Sequence, residues 1–159
     1  CIRAALTGHL VFSTLHTNDA PSAISRLIDI GIEPYMVAHS LLMVVAQRLL
    51  RKLCPDCKEA YEPTAEQRGA VKIKADLIYR QKGCAKCGQL GYRGRICIAE
   101  AMVINERIRD LISQGASFQK IRDAAKESGM NTLYESGLKK VEDGITSLEE
   151  ALSLTIGAE

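Results

Sequence analysis

The chain has 159 residues, 47% hydrophobic and 25% charged, which is the size of one ordinary domain or two small ones and the composition of a soluble globular protein. With no Trp and 4% aromatics, any core rests on Leu, Ile, Val, Ala and Met. A net charge of +2 supplies no overall field toward nucleic acid or a membrane surface.

The first segment, "CIRAALTG", reads as the last turns of a helix closing on Gly8, so the chain is expected to be a piece of something longer. "HLVFSTLH" predicts a strand, apolar on both faces around Val11 and Phe12 as buried parallel strands are. Asp19 is a predicted N-cap, with Pro21 in the first turn of a helix that runs to about Ile30 and ends at Gly31. Pro34 opens a longer predicted helix, Tyr35 to Lys52, apolar at Met36, Val37, Leu41, Val44, Val45 and Leu49. His39, Ser40, Gln47 and Arg48 interrupt this stretch, the most apolar in the chain, and a bilayer span needs about 20 apolar residues. No signal peptide is visible. The expectation is a soluble, intracellular protein whose first part is the tail of an α/β domain.

From Cys54 to Cys87 the text turns polar and loses its periodicity. "GYRGR" then predicts a turn into a strand near Ile96–Val103. Helices follow: one capped by Asn105 and stopped at Gly115, one capped by Ser117 and stopped at Gly129, and one ending before Gly144. Thr146 and Glu149 have capping-box spacing for a last helix. The expected class is α/β in three parts: strand plus helices over 1–52, a tetracysteine subdomain over 53–100, and a small helical bundle over 101–159.

Cys54-Pro-Asp-Cys57 and Cys84-Ala-Lys-Cys87 are two C-x2-C pairs separated by 26 residues. Each pair places two thiolates of one tight turn within reach of one ion at about 2.3 Å, and four sulfurs complete a tetrahedral zinc site. The competing readings are scattered reduced thiols or two redox C-x-x-C sites. Zinc is preferred because each pair sits beside turn-forming residues in a core-poor segment. Four Cys ligands leave no open position, so this zinc would be structural, one per chain. Cys97 is expected to pack in its strand as a small hydrophobe.

The charge is uneven. Arg48 to Arg95 carries twelve Lys and Arg against five Asp and Glu. Such a segment suits polyphosphate or nucleic acid, or is a solvated face balancing zinc thiolates. In "GYRGR", Gly91 and Gly94 permit close backbone approach while Arg93 and Arg95 offer planar donors.

Ser13-Thr14-Leu15-His16-Thr17-Asn18 lies at the carboxyl end of the first predicted strand, where ligands bind in open parallel sheets. His16 there can meet a phosphate or a catalytic water. Seven residues of strand at roughly 3.3 Å each span about 23 Å, so His9 and His16 cannot serve one site in one subunit. Either histidine alone also has an ordinary structural reading, which is the one preferred for His39.

"AALTGHLVFSTLHTNDAPSAISRLIDIGI" resembles the histidine-box region of the bacterial secretion (traffic) ATPases of type II secretion and type IV pilus assembly. "QRLLRKLCPDCK" and "GCAKCGQLGYRGRICIAE" are similar to the zinc-binding C-terminal part of the assembly and export branch, as is the closing "MNTLYESGLKKVEDGITSLEEAL". The resemblance implies a homo-hexameric ATPase with a RecA-like core, coupling ATP and Mg²⁺ chemistry to an inner-membrane platform protein from the cytoplasmic face. It makes His16 a γ-phosphate sensor with His9 its partner in the box, Thr17 and Asn18 shapers of the adjoining turn, and Arg93 and Arg95 contacts to nucleotide or a neighbouring subunit. No G-x-x-x-x-G-K-[ST] and no acid-terminated apolar strand occurs in the chain, so it is not expected to hydrolyse ATP alone. A zinc-ribbon nucleic-acid binder is the rival, weakened by a segment offering only Tyr61, Tyr79 and Tyr92 for base stacking. A docking module without nucleotide chemistry is the other.

Overall fold

The computed structural model describes residues 1–155. In chain order the elements are helices α1 (Ile2–Leu6), α2 (Ala20–Asp29) and α3 (Pro34–Ser40), strands β1 (Met43–Leu53) and β2 (Glu59–Tyr61), helix α4 (Ala65–Ala70), strand β3 (Ile78–Arg80), a 3₁₀ turn (Ala85–Cys87), strand β4 (Tyr92–Val103), and helices α5 (Glu106–Ser113), α6 (Phe118–Glu127), α7 (Leu133–Glu142) and α8 (Leu148–Thr155). They form two compact units, each built from two separate stretches: Cys1–Ala46 with Ala99–Thr132, and Gln47–Ile98 with Leu133–Glu159.

The expected helix over 35–52 is corrected. Only α3 is helical, and the chain then extends into β1. From Met43 the side chains alternate: Met43, Val45 and Leu49 face outward, while Val44, Ala46 and Leu50 turn inward. A short apolar run satisfies both helical and strand periodicity, and the available partner decides. Here β4 supplies the ladder. Ile104 N–H donates to Leu42 O at one end and Cys54 N–H to Gly91 O at the other, both at 2.9 Å, so the two strands run antiparallel.

The predicted strand at 9–16 is also corrected. No ladder among the described residues takes it in, and Leu10 and Phe12 are 72% and 88% exposed. Extended backbone becomes a strand only when a neighbour accepts its hydrogen bonds. Cys97 is likewise exposed instead of packed, because its register on β4 puts Ile98 inward.

Most helix starts follow the text. Asp19 accepts the Ser22 N–H at 2.7 Å to begin α2, and Asn105 accepts that of Ile108 at 2.9 Å to begin α5. The last helix differs by one position. Ser147 Oγ accepts the Glu150 N–H at 3.2 Å, while Thr146 Oγ1 is drawn away to donate to Arg51 O at 2.8 Å.

In the first unit, Ala20, Ile24, Val37, Met102, Ile108 and Ile112 form one buried cluster between helices and the end of β4. In the second, Val71, Ile73, Ile78, Val141, Leu148 and Ala151 form another, around the antiparallel β2–β3 pair with Ala60 opposite Tyr79. Among the described residues no helix is long and apolar enough to cross a membrane.

Candidate functional site

At the end of β1 the chain turns through Cys54-Pro55-Asp56-Cys57, with the Cys57 and Lys58 N–H groups both donating to Cys54 O at 3.3 and 3.0 Å. A second tight turn follows the 3₁₀ segment. Gly88 has φ +61 and Gln89 follows at φ +66, while Gln89 N–H donates to Cys84 O at 2.9 Å. The bond from Cys54 N–H to Gly91 O ties the two turns together. The glycines are required by space as well as by φ: a Cβ on Gly83 would stand 2.7 Å from Gln89 O, and one on Gly91 2.5 Å from Gln81 Cβ.

The four sulfurs that result lie within 4.8 Å of one another. Cys84 to Cys87 is 3.7 Å, Cys57 to Cys87 is 3.9 Å and Cys54 to Cys84 is 4.0 Å. A tetrahedron with metal–sulfur bonds of about 2.3 Å has edges of about 3.8 Å, so the spacing fits one metal ion. Backbone donors already point at the sulfur of Cys87, from Cys84 and Gly91, each at 3.2 Å. Loss of solvent opposes ionisation of this thiol, but those amides and the neighbouring thiols outweigh it and lower Cys87 to about 6. Loss of solvent and competition for the shared protons push Cys57 up to about 12. Thiolates at such separations repel one another, and a cation among them offsets that repulsion.

The surrounding basic side chains are partly engaged in ion pairs. Lys86 Nζ meets Asp56 Oδ1 at 2.5 Å, and its hydrogen bond holds the Asp56 carboxyl below its usual range. Glu59 takes Lys82 at 2.5 Å and Arg80 at 3.4 Å. Lys58 Nζ donates to Gly144 O at 2.8 Å and stands 4.2 Å from the centre of the Tyr79 ring. Arg93 and Arg95 are exposed on β4.

His9 and His16 are exposed at the two ends of the extended segment between α1 and α2. His9 Nδ1 is 3.2 Å from Thr7 Oγ1. Thr17 is half-buried and Asn18 exposed, immediately before the cap of α2. The histidines take no part in the metal-type cluster, which is made of the four cysteines.

One residue escaped the sequence reading. Glu100 is 2% exposed, and its Oε1 accepts the Ala20 N–H at 2.7 Å, at the first residue of α2. Its signal was a single acid inside the apolar "ICIAEAMVI".

Residues 1–153 match the model of a family described as "Type II/IV secretion system protein". The chain is 46% identical over 160 residues to a type IV pilus assembly ATPase, PilB, of Myxococcus xanthus, covering 97% of this chain and 28% of that protein. It is 46% identical over 157 residues to the type II secretion system ATPase E of Vibrio cholerae, covering 97% and 31%. The chain thus spans less than a third of either relative. Its fold is similar to the ADP-bound pilus retraction motor PilT, with TM-score 0.61 and 24% identity over 96% of this chain and 35% of that one. The Yersinia pseudotuberculosis ATPase DotB superposes with TM-score 0.64 at 19% identity, covering 98% and 32%.

Proposed function

The chain belongs to the type II/IV secretion system protein family, and from that premise we propose that it is the C-terminal portion of a hexameric ATPase powering type II secretion or type IV pilus assembly. The observation that carries this reading is identity of 46% along 97% of the chain to proteins named as ATPases of those two systems. The four-sulfur cluster supports placing it in the zinc-binding branch.

On this reading Cys54, Cys57, Cys84 and Cys87 hold one structural Zn²⁺. The ion neutralises the thiolates and fixes the two turns, and with no open coordination position it does no chemistry on a substrate. His16 answers to the γ-phosphate of ATP·Mg²⁺, His9, the other member of the box, works at a subunit boundary or supports the fold, and Thr17 and Asn18 shape the turn between His16 and α2. Arg93 and Arg95 reach toward nucleotide or the adjoining subunit, since exposed guanidinium groups on a strand are free to meet phosphate or carboxylate. By role along the sequence, as distinct from the two packed units, the residues divide as RecA-like portion over 1–52, zinc subdomain over 53–100 and helical subdomain over 101–159. The protein works at the cytoplasmic face of the bacterial inner membrane, bound to a platform protein, and needs no nucleic acid.

The chain by itself does not hydrolyse ATP, because no phosphate-binding loop of the G-x-x-x-x-G-K-[ST] type is in its sequence. The test is His16→Ala in the full-length protein, with ATP hydrolysis and oligomer size measured together. The expected result is hydrolysis reduced by about 10²-fold in intact hexamers, the scale of a lost electrostatic or proton-transfer contact. Unchanged hydrolysis in normal hexamers removes His16 from the mechanism.

A further inference from the structure

The first turn of α2 is held by two carboxylates from distant parts of the sequence. Asp19, 4% exposed, accepts the Ser22 N–H at 2.7 Å, as a helix cap does. Glu100, 2% exposed and on β4, accepts the Ala20 N–H at 2.7 Å across 80 positions of sequence. The first backbone donors of a helix have no partner within it, so a second buried acceptor here fixes the entry of the chain into α2 beyond what a local cap achieves. The entry matters because the residues leading into it are His16, Thr17 and Asn18, and His16 is four positions before Ala20. Upstream of this anchor, the segment has no sheet partner among the described residues. Its carboxyl end is therefore set by the clamp on α2.

We propose that Glu100 is a positioning residue for the histidine box. Its carboxylate, by holding the Ala20 amide, sets where the turn carrying His16 leaves α2. The assignment rests on the reading of His16 given above, and it extends that reading to a residue in the other stretch of the same unit. Oε1 is the working atom, and the requirement is for an acceptor at its position. A Gln at 100 retains a carbonyl oxygen there, whereas a Met of similar length does not.

The experiment uses the full-length protein with Glu100→Met, Glu100→Gln, His16→Ala and the double variant Glu100→Met/His16→Ala. Two readouts are taken: ATP hydrolysis against ATP concentration, and amide hydrogen exchange over peptides spanning 9–24. E100M is expected to lower kcat by about tenfold with KM changed less than about twofold, and E100Q to recover most of the loss. In the His16→Ala background E100M is expected to add nothing, since a residue acting through another is non-additive with it. Exchange over 9–24 is expected to quicken in E100M while the rest of α2 and α6 stays protected.

An E100Q as impaired as E100M would assign the role to the charge and overturn the proposal. So would losses that multiply independently in the double variant. If His16→Ala alone leaves hydrolysis intact, the reading of His16 fails. The exchange data then decide for Glu100 separately: unchanged protection over 9–24 in E100M overturns the anchoring role. Should E100M not fold, Glu100→Asp replaces it, its carboxylate one methylene short of the amide.

Discussion

Arg51 and Glu150, 99 positions apart, are joined by three hydrogen bonds to one carboxylate: Arg51 N–H to Oε1 at 3.0 Å, Nε to Oε2 at 2.9 Å and a terminal guanidinium nitrogen to Oε2 at 2.5 Å. Glu150 is 5% exposed while Arg51 remains 56% exposed. The same guanidinium lies 4.3 Å from the centre of the Tyr92 ring, and Tyr92 Oη is 2.6 Å from Ser147 Oγ. Strand β1 and the start of α8 are therefore fastened at one carboxylate.

Burial raises the pKa of Glu150, but the side-chain and backbone bonds from Arg51 outweigh it, and the carboxyl sits below its ordinary value of 4.5. Its contribution to stability is thus present above that ordinary value and is lost as pH falls through the lowered one. Glu150→Ala is expected to cost about 2 kcal/mol, below the cost of breaking a fully buried pair because Arg51 stays hydrated. Thermal unfolding from about pH 6 to about pH 3 should show the gap between wild type and Glu150→Ala closing toward the acid end. A gap independent of pH would mean the carboxylate's charge is not what fastens α8.

Gly91 accepts from Cys54, donates to the sulfur of Cys87 and has φ +74, and a Cβ on it would stand 2.5 Å from Gln81 Cβ. Gly91→Ala is expected to reduce bound zinc below one per chain, measured by elemental analysis after gel filtration. Cys84→Ser should do so more severely, since it removes a ligand. Wild-type protein free of stoichiometric zinc would contradict the metal assignment.

At Gly144, φ is +66, and a Cβ would stand 2.8 Å from two carbons of the Tyr79 ring, the ring that also carries Lys58. Gly144→Ala combines a left-handed backbone penalty with overpacking, for about 2–4 kcal/mol in total. Tyr79→Leu in the same background should recover part of the loss. Chemical denaturation of the four proteins in that cycle measures it, and an additive result would mean the ring is not the obstruction.

Ser147 takes the cap role that spacing assigns to Thr146. Ser147→Ala is expected to cost about 1 kcal/mol through the lost cap on α8. Thr146→Val should cost a similar amount, but by releasing the hydroxyl bond to Arg51 O, so its effect appears as faster amide exchange in β1 rather than in α8.

The metal-type cluster was legible because C-x2-C spacing carries its own geometry: tight turns and four soft donors specify a site without reference to the rest of the fold. Caps at Asp19 and Asn105 were legible for the same local reason. What escaped was everything settled by a distant partner. Val44 to Leu50 became strand because β4 lies alongside, and residues 9–16 have no strand partner among the described residues. Thr146 lost its cap role to a carbonyl 95 positions away. Glu100 is a single acid in apolar text, and its bond to the Ala20 amide, 80 positions away, exists only in the fold.

The division of the chain into interleaved stretches also bears on how the protein is made. The second unit's first stretch, Gln47–Ile98, falls in sequence between the two stretches of the first unit, and its complement begins only at Leu133. During synthesis both of these stretches of the first unit have emerged once Thr132 has, whereas the second unit still lacks α7 and α8. All four cysteines precede that point. The two turns that carry them, and α4 between those turns, are complete in sequence while α7 and α8 are still unmade. A metal-binding pair of turns of this kind would couple to folding before the sequence of its unit is finished.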